Sequence, residues 1–177
     1  MTSYCGYIAL VGRPNVGKST LLNKLVKQKL SITSRRPQTT RHSILGIRTE
    51  AEYQYVYVDT PGIHKSNAKA MNRMMNKTAL SVLRDVDVIA FVVEGTHWTE
   101  EDEYVLRQIQ KSKMPCILVI NKVDKIHDKD TLLPWLEHMS KQYDFISMVP
   151  LSAKAGQQVE ALQELFTPFL PEGPHLF

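Results

Sequence analysis

The sequence is poor in cysteine, in long apolar stretches and, over its first third, in acid. Cys5 and Cys116 are the only cysteines, and each lies in or beside an apolar run. Two such thiols support neither a disulfide framework nor a cysteine-based metal site, so both are expected to be buried and reduced. The longest apolar runs, Val86 to Val93 and Cys116 to Ile120, are far too short to span a bilayer. The opening MTSYCGYIALVGRPNVG has no charged n-region and no small-residue cleavage site, so no signal peptide is read and a cytoplasmic setting is expected. Residues 1–49 contain nine Lys or Arg and no Asp or Glu, whereas the remainder has thirteen bases and eighteen acids. The formal net charge of +4 conceals this asymmetry. A basic, acid-free N-terminal third suits a polyanionic ligand, either nucleotide phosphate or nucleic acid.

What is present is the make-up of one ordinary domain. The 177 residues are 43% apolar and 23% charged, enough for one sizeable core, and they show no internal repeat and no low-complexity tract. Residues 7–11, 43–49, 53–59, 86–94, 116–121 and 146–151 read as strands, several of them as the unbroken apolar runs of parallel strands covered on both faces. The second and third are too close for a crossover and should form an antiparallel hairpin. Residues 18–25, 69–83, 100–112, 131–143 and 158–169 read as helices. In the second, Met71, Met74, Met75, Ala79, Val82 and Leu83 form one apolar stripe; in the third, Thr99 is the cap and the acids 100–103 suit the positive N-terminus. Trp135 reads as packing. The order implies an α/β fold with a doubly wound, mostly parallel six-stranded sheet, one antiparallel edge strand and helices on both faces. Ligands of such sheets bind where the strands end.

Four motifs fall there. Gly12-Arg13-Pro14-Asn15-Val16-Gly17-Lys18-Ser19 matches G-x-x-x-x-G-K-[ST] between a strand and a helix. Its backbone N–H groups, together with those leading to Thr20, would wrap phosphates, Lys18 would reach the β- and γ-phosphates, and Ser19 would ligate Mg²⁺. Asp59-Thr60-Pro61-Gly62 closes the third strand, where Asp59 suits Mg²⁺ and the Gly62 N–H the γ-phosphate. Asn121-Lys122-Val123-Asp124 chooses the base. A carboxylate at Asp124 can accept from both N1–H and the 2-amino group of guanine, and adenine offers neither donor. Asn121 would hold the loop and the base edge, and the Lys122 stem would cover a ring face. Ser152 and Ala153 end the last strand, with the Ala153 N–H aimed at guanine O6. This is a P-loop NTPase pattern of the G-domain type, with GTP and GDP as ligands.

Between the first helix and second strand, Gln38, Thr39, Thr40, Arg41 and His42 read as a switch that senses the γ-phosphate. Thr40 is the first choice for Mg²⁺, with Thr39 the alternative. Lys18, Thr40, Gly62 and Asn15 form the catalytic set. Ile63 stands where Ras-like proteins carry a water-orienting glutamine, so the water has to be placed by other means. None of the six histidines forms a metal-binding pair by spacing.

The succession GRPNVGKS, QTTRH, DTPGIH, NKVD and LSA resembles the Era-like GTPases of the TrmE-Era-EngA type, and the resemblance covers residues 4–171. It implies a GTP-hydrolysing switch that assists assembly of the small (30S) ribosomal subunit, in the cytoplasm and partly at the inner membrane, and acting as a monomer. It also implies a KH-type domain that binds 16S ribosomal RNA. Here no GXXG clamp occurs, so residues 1–171 are expected to be the G domain and 172–177 the start of a linker to that domain. In potassium-using relatives the asparagine matching Asn15 helps bind K⁺ beside the phosphates. A GTP-dependent binding module with negligible hydrolysis by itself is the main alternative. A G domain of a tRNA-modifying or tandem-domain GTPase is another, though such relatives read T-R-D where this chain reads Thr40-Arg41-His42.

Overall fold

The computed structural model describes residues 2–26, 32–33, 43–60, 79–95, 97–122, 129–156 and 158–177. Its strands are β1 (Tyr4–Val11), β2 (Ile32–Thr33), β3 (Ser43–Glu50), β4 (Tyr53–Val58), β5 (Val88–Glu94), β6 (Cys116–Asn121) and β7 (Ser147–Pro150). The helices are α1 (Lys18–Leu25), α2 (described over residues 79–85), α3 (Glu100–Ser112), α4 (Leu132–Ser140) and α5 (Val159–Phe166). The sheet order is β2-β3-β4-β1-β5-β6-β7. β1 pairs in parallel with both β4 and β5, and β5, β6 and β7 continue in parallel.

The six expected strands are all present. β3 and β4 form the expected antiparallel hairpin, with Glu50 opposite Tyr53 and only Ala51 and Glu52 between. The two-residue β2 pairs antiparallel on the outside of β3, so the sheet has seven strands and the expected edge strand has a partner. Two paired residues carry no period of their own, which is why the pattern passed over β2.

Alternation along the strands divides the core between the two faces. Ala9, Val11, Phe91, Val93 and Leu118 pack with Leu83, Val105, Ile109 and Met139 of α2, α3 and α4. Ile8, Leu10, Tyr57, Val92 and Val119 pack with Leu21, Leu25, Leu162 and Phe166 of α1 and α5. Cys5 and Cys116 are both buried and not joined in a disulfide, and burial pushes the Cys116 thiol well above its ordinary pKa. Of the methionine stripe, Ala79, Val82 and Leu83 are buried, while residues 71–75 lie outside the described set.

α3 begins where expected, in a reciprocal capping box: Thr99 Oγ1 accepts from the Asp102 N–H, and Asp102 accepts from the Thr99 N–H. α4 is shorter than the expected 131–143, since its entry is a 3₁₀ turn at Lys129–Thr131 and it ends at Ser140. Pro134 is tolerated there because the first-turn N–H groups have no intrahelical acceptor. Trp135 packs against the core as expected. Residues 172–177, expected as the start of a linker, are bonded to the sheet. Glu172 bridges to Tyr4, the Gly173 N–H donates to Ser3 O at 2.9 Å, and the Leu176 N–H donates to Gln54 Oε1 at 2.8 Å.

Among the described residues no helix is long and apolar enough to cross a membrane. The sheet order reverses at β1, whose neighbours β4 and β5 follow it by different routes. The loop leaving the carboxyl end of β1 therefore opens at the switch point where such sheets bind ligands.

Candidate functional site

Everything at this site hangs on the loop Gly12–Gly17 and the helix it feeds. Val16 is fully buried in the core and anchors the loop, while Pro14 and Asn15 are exposed. Gly12 passes so close to β5 that a Cβ would sit 2.5 Å from the Val92 carbonyl oxygen. Asn15 lies at φ 68°, a region that asparagine tolerates better than most side chains. Gly17 caps α1 at φ 96° with no side-chain hydrogen bond, and the first turn holds no acid. The N-terminus of α1 thus keeps its N–H groups and partial positive charge for an anion.

Lys18 stands at that N-terminus, its Nζ donating to the Gly12 carbonyl at 2.6 Å. Burial lowers its pKa below the ordinary 10.5, an effect that the nearby Asp59 carboxylate partly opposes. A half-buried ammonium with one carbonyl partner is suited to a phosphate, which returns the solvation that burial removes. Asp59 follows β4 and is placed by the hairpin, its N–H donating to Ser43 O at 2.8 Å. Its Oδ1 accepts from the Thr60 N–H at 2.9 Å. Ser19 is exposed on the first turn of α1. A serine hydroxyl and a carboxylate are hard oxygen donors, and a site with few protein ligands is what Mg²⁺ takes when phosphates and water fill the rest. The described residues therefore fit Mg²⁺ at Ser19 and Asp59.

Asn121 joins the loop Gly12–Gly17 to the loop after β7. It is 2% exposed, its Nδ2 donates to Val16 O at 2.8 Å, and its Oδ1 accepts from the Ala153 N–H at 3.0 Å. The Ala153 N–H, expected to meet guanine O6, is here the donor that locks the loop after β7 onto β6. Ser152 is buried, and its Oγ accepts from the Ala155 N–H at 3.3 Å, so it shapes that loop. Lys122, at φ 61°, reaches back over the phosphate loop, with Nζ 2.8 Å from Asn15 O and 3.4 Å from Glu94 Oε1.

Arg13 takes a course that the motif does not show. Its Nε donates to Asp102 Oδ2 at 3.1 Å and an Nη to Glu94 Oε2 at 3.0 Å, so the side chain is held on α3 and the end of β5. A role for Arg13 toward phosphate thus falls to its backbone. Burial disfavours its charge, but the two carboxylates outweigh that and hold its pKa above the ordinary value. The sequence does not single out Glu94, and it marks Asp102 only as one of the acids at the start of α3. The spacing Thr99-x-x-Asp102 does signal a cap, but nothing local links either acid to position 13.

Glu94 gives a pH-dependent test. Burial alone would raise its pKa, but the hydrogen bond from Arg13 and the charge of Lys122 bring it below the ordinary 4.5. A depressed carboxyl contributes stability that is full above 4.5 and lost as pH falls through the folded-state value. The wild-type advantage in melting temperature over Glu94→Gln should therefore be constant near neutrality and shrink on acidification below that point. Differential scanning calorimetry across pH reads it directly.

Gln38, Thr39, Thr40, Arg41, His42, Gly62 and Asp124 lie outside the described residues, as do Pro61 and Ile63. Among the described residues no cluster of three or more His, Cys, Asp or Glu is placed to hold a metal.

The sequence matches the family described as 50S ribosome-binding GTPase over residues 7–122. The chain belongs to this GTPase family. Within it, the chain is 55% identical over 175 residues to GTPase Era of Actinobacillus pleuropneumoniae serotype 5b (strain L20), covering 99% of this chain and 58% of the relative. It is 57% identical over 173 residues to GTPase Era of Pseudomonas savastanoi pv. phaseolicola (strain 1448A / Race 6), covering 98% and 58%. Its structure is similar, at a TM-score of 0.78 and 38% identity, to Era in complex with MgGDPNP and a segment of 16S ribosomal RNA. That likeness covers 99% of this chain and 60% of the other. The chain spans 58% of the length of these curated relatives. The expected resemblance and fold class are borne out.

Proposed function

We propose that the chain binds GTP and GDP and hydrolyses GTP to GDP and phosphate, as a switch in maturation of the small ribosomal subunit and its 16S rRNA. The observation that carries the nucleotide reading is the uncapped N-terminus of α1 with Lys18, stitched by Asn121 to the base loops. The link to 16S rRNA rests on the Era named in that complex and on the Era-like resemblance. Contact with rRNA is assigned chiefly to a KH-type domain outside residues 1–177. A cytoplasmic, monomeric protein with peripheral association at the inner membrane belongs to the same proposal.

In this reading the N–H groups of residues 12–20 and the N-terminus of α1 bind the phosphate oxygens, and Lys18 meets the β- and γ-phosphates. Asp124 selects guanine. Ser19 and Asp59, with Thr40, would hold Mg²⁺, which would neutralise phosphate charge. Gly62 donates its N–H to the γ-phosphate. Water attacks the γ-phosphorus in line as the bond to the β–γ bridging oxygen breaks, and donors preset around the phosphates stabilise the charge that develops. With isoleucine at position 63, turnover without a partner is slow, on the order of the 10⁻⁴–10⁻³ s⁻¹ of unassisted Ras.

Single-turnover phosphate release from GTP tests this. Slow release that stops on chelation of Mg²⁺ is the expected result, and faster release in K⁺ than in Na⁺ would assign Asn15 to K⁺. No release in either salt, alone or with ribosomal subunits, would leave a binding module.

A further inference from the structure

Between α3 and α4 lies a cavity of about 430 Å³ that shares no lining residue with the phosphate loop or the Asn121 loop. Its walls include His97, Trp98, Glu103, Trp135, His138 and Met139. The chain has two tryptophans, and both are here. Their ring centroids are 6.4 Å apart with the planes tilted by 59°. Trp98 is fixed from below by an edge contact with Phe91, at 5.9 Å. It is fixed at its rim by a 3.0 Å hydrogen bond from Nε1 to Glu103 Oε2. On α4, Trp135, His138 and Met139 follow at helical spacing, so the wall is a continuous stripe.

The bond to Trp98 uses one oxygen of Glu103. Among the described residues the other meets only the exposed Arg107, at 3.9 Å, beyond hydrogen-bond distance. The cavity therefore offers two indole surfaces and an anionic acceptor held in place by one of them. Glu103 is the carboxylate among the lining residues, which also include His97 and His138.

We propose that this cavity docks an arginine side chain from a basic polypeptide partner. A guanidinium is planar and weakly hydrated, stacks on indole, and presents a fork of donors that a carboxylate oxygen can accept. A lysine ammonium, compact and strongly hydrated, gains less from two aromatic walls. Glu103 repels an anion entering by the same path.

The two tryptophans make the protein its own reporter. Emission is titrated with acetyl-Gly-Arg-Gly-Arg-Gly-amide and with the same peptide carrying citrulline, which keeps the shape of arginine and loses its charge. The arginine peptide should change the emission saturably, and the citrulline peptide should bind at least about tenfold more weakly. Glu103→Gln preserves an acceptor for Trp98 and should weaken the arginine peptide by about tenfold. Glu103→Lys should remove binding, and thermal melts of both variants establish that they are folded. Equal affinity for the two peptides, or unchanged affinity in folded Glu103→Gln, would overturn the proposal. So would tighter binding of a glutamate peptide or an RNA oligomer, or an emission change with protein concentration alone, which would point to a second copy of the chain.

Discussion

Gly17→Ala is expected to abolish tight guanine-nucleotide binding and to lower the melting temperature by about 4–20 °C. Gly17 sits at φ 96°, and a Cβ there would fall 2.1 Å from Asn121 Nδ2. The backbone cannot simply retreat, since Gly17 O accepts the Leu21 N–H that starts the ladder of α1. Nor can the asparagine, held by Val16 O on one side and the Ala153 N–H on the other. The left-handed conformation costs about 1–2 kcal/mol for a residue with a Cβ. Displacing Asn121 leaves buried polar groups unpaired at about 1–3 kcal/mol. At roughly 2–4 °C per kcal/mol for a chain of this size, the sum gives the expected shift. Binding suffers more, because the collision separates the loop proposed to hold phosphate from the loops proposed to hold the base. Calorimetric titration with GDP and a thermal melt measure the two effects. Gly173→Ala, where a Cβ meets open space, is the control that should change neither.

Asp124→Asn is expected to exchange the base. A carboxylate accepts from both N1–H and the 2-amino group of guanine, whereas an amide presents one acceptor and one donor. Against guanine the donor faces an amino group; against xanthine it faces a carbonyl. Mismatched polar groups in a closed site cost on the order of 10⁴-fold in selectivity. GTP affinity should fall by about a thousandfold or more, with XTP rising to become the preferred ligand. Competition of the two nucleotides against a fluorescent GDP analogue reads both. If neither affinity moved, the base would be recognised elsewhere.

The sheet was legible because its strands are long apolar runs separated by strongly periodic helices. β6, Cys116–Asn121, and α3, Glu100–Ser112, end where the pattern placed them. The site was legible in so far as its chemistry is local. Gly12 to Ser19 are consecutive, and the glycines, the lysine and the serine each have one use there. Asn121 is expected to hold the loop and the base edge; the structure shows it bonded to Val16 O and to the Ala153 N–H, a partner 32 positions away that the motif does not record. The rest depends on contacts far apart in sequence. Arg13 meets Glu94 and Asp102 across 81 and 89 positions, and no local pattern in one chain records such a pairing. The same holds for residues 172–177. Their backbone bonds to Ser3 and Gln54 give no apolar period, so a stretch that reads as linker is in fact fastened to the sheet.

In the proposed function, this loop and these strand ends form a site for guanine nucleotide that cleaves its γ-phosphate. The direct measurement is calorimetric titration of the chain with GTP and with ATP in Mg²⁺, followed by phosphate release from the complexes. The expected result is a one-to-one GTP complex, ATP weaker by about a thousandfold or more, and slow release of phosphate from GTP that Lys18→Ala eliminates. Equal affinity for ATP and GTP, or release that survives in folded Lys18→Ala, would contradict it.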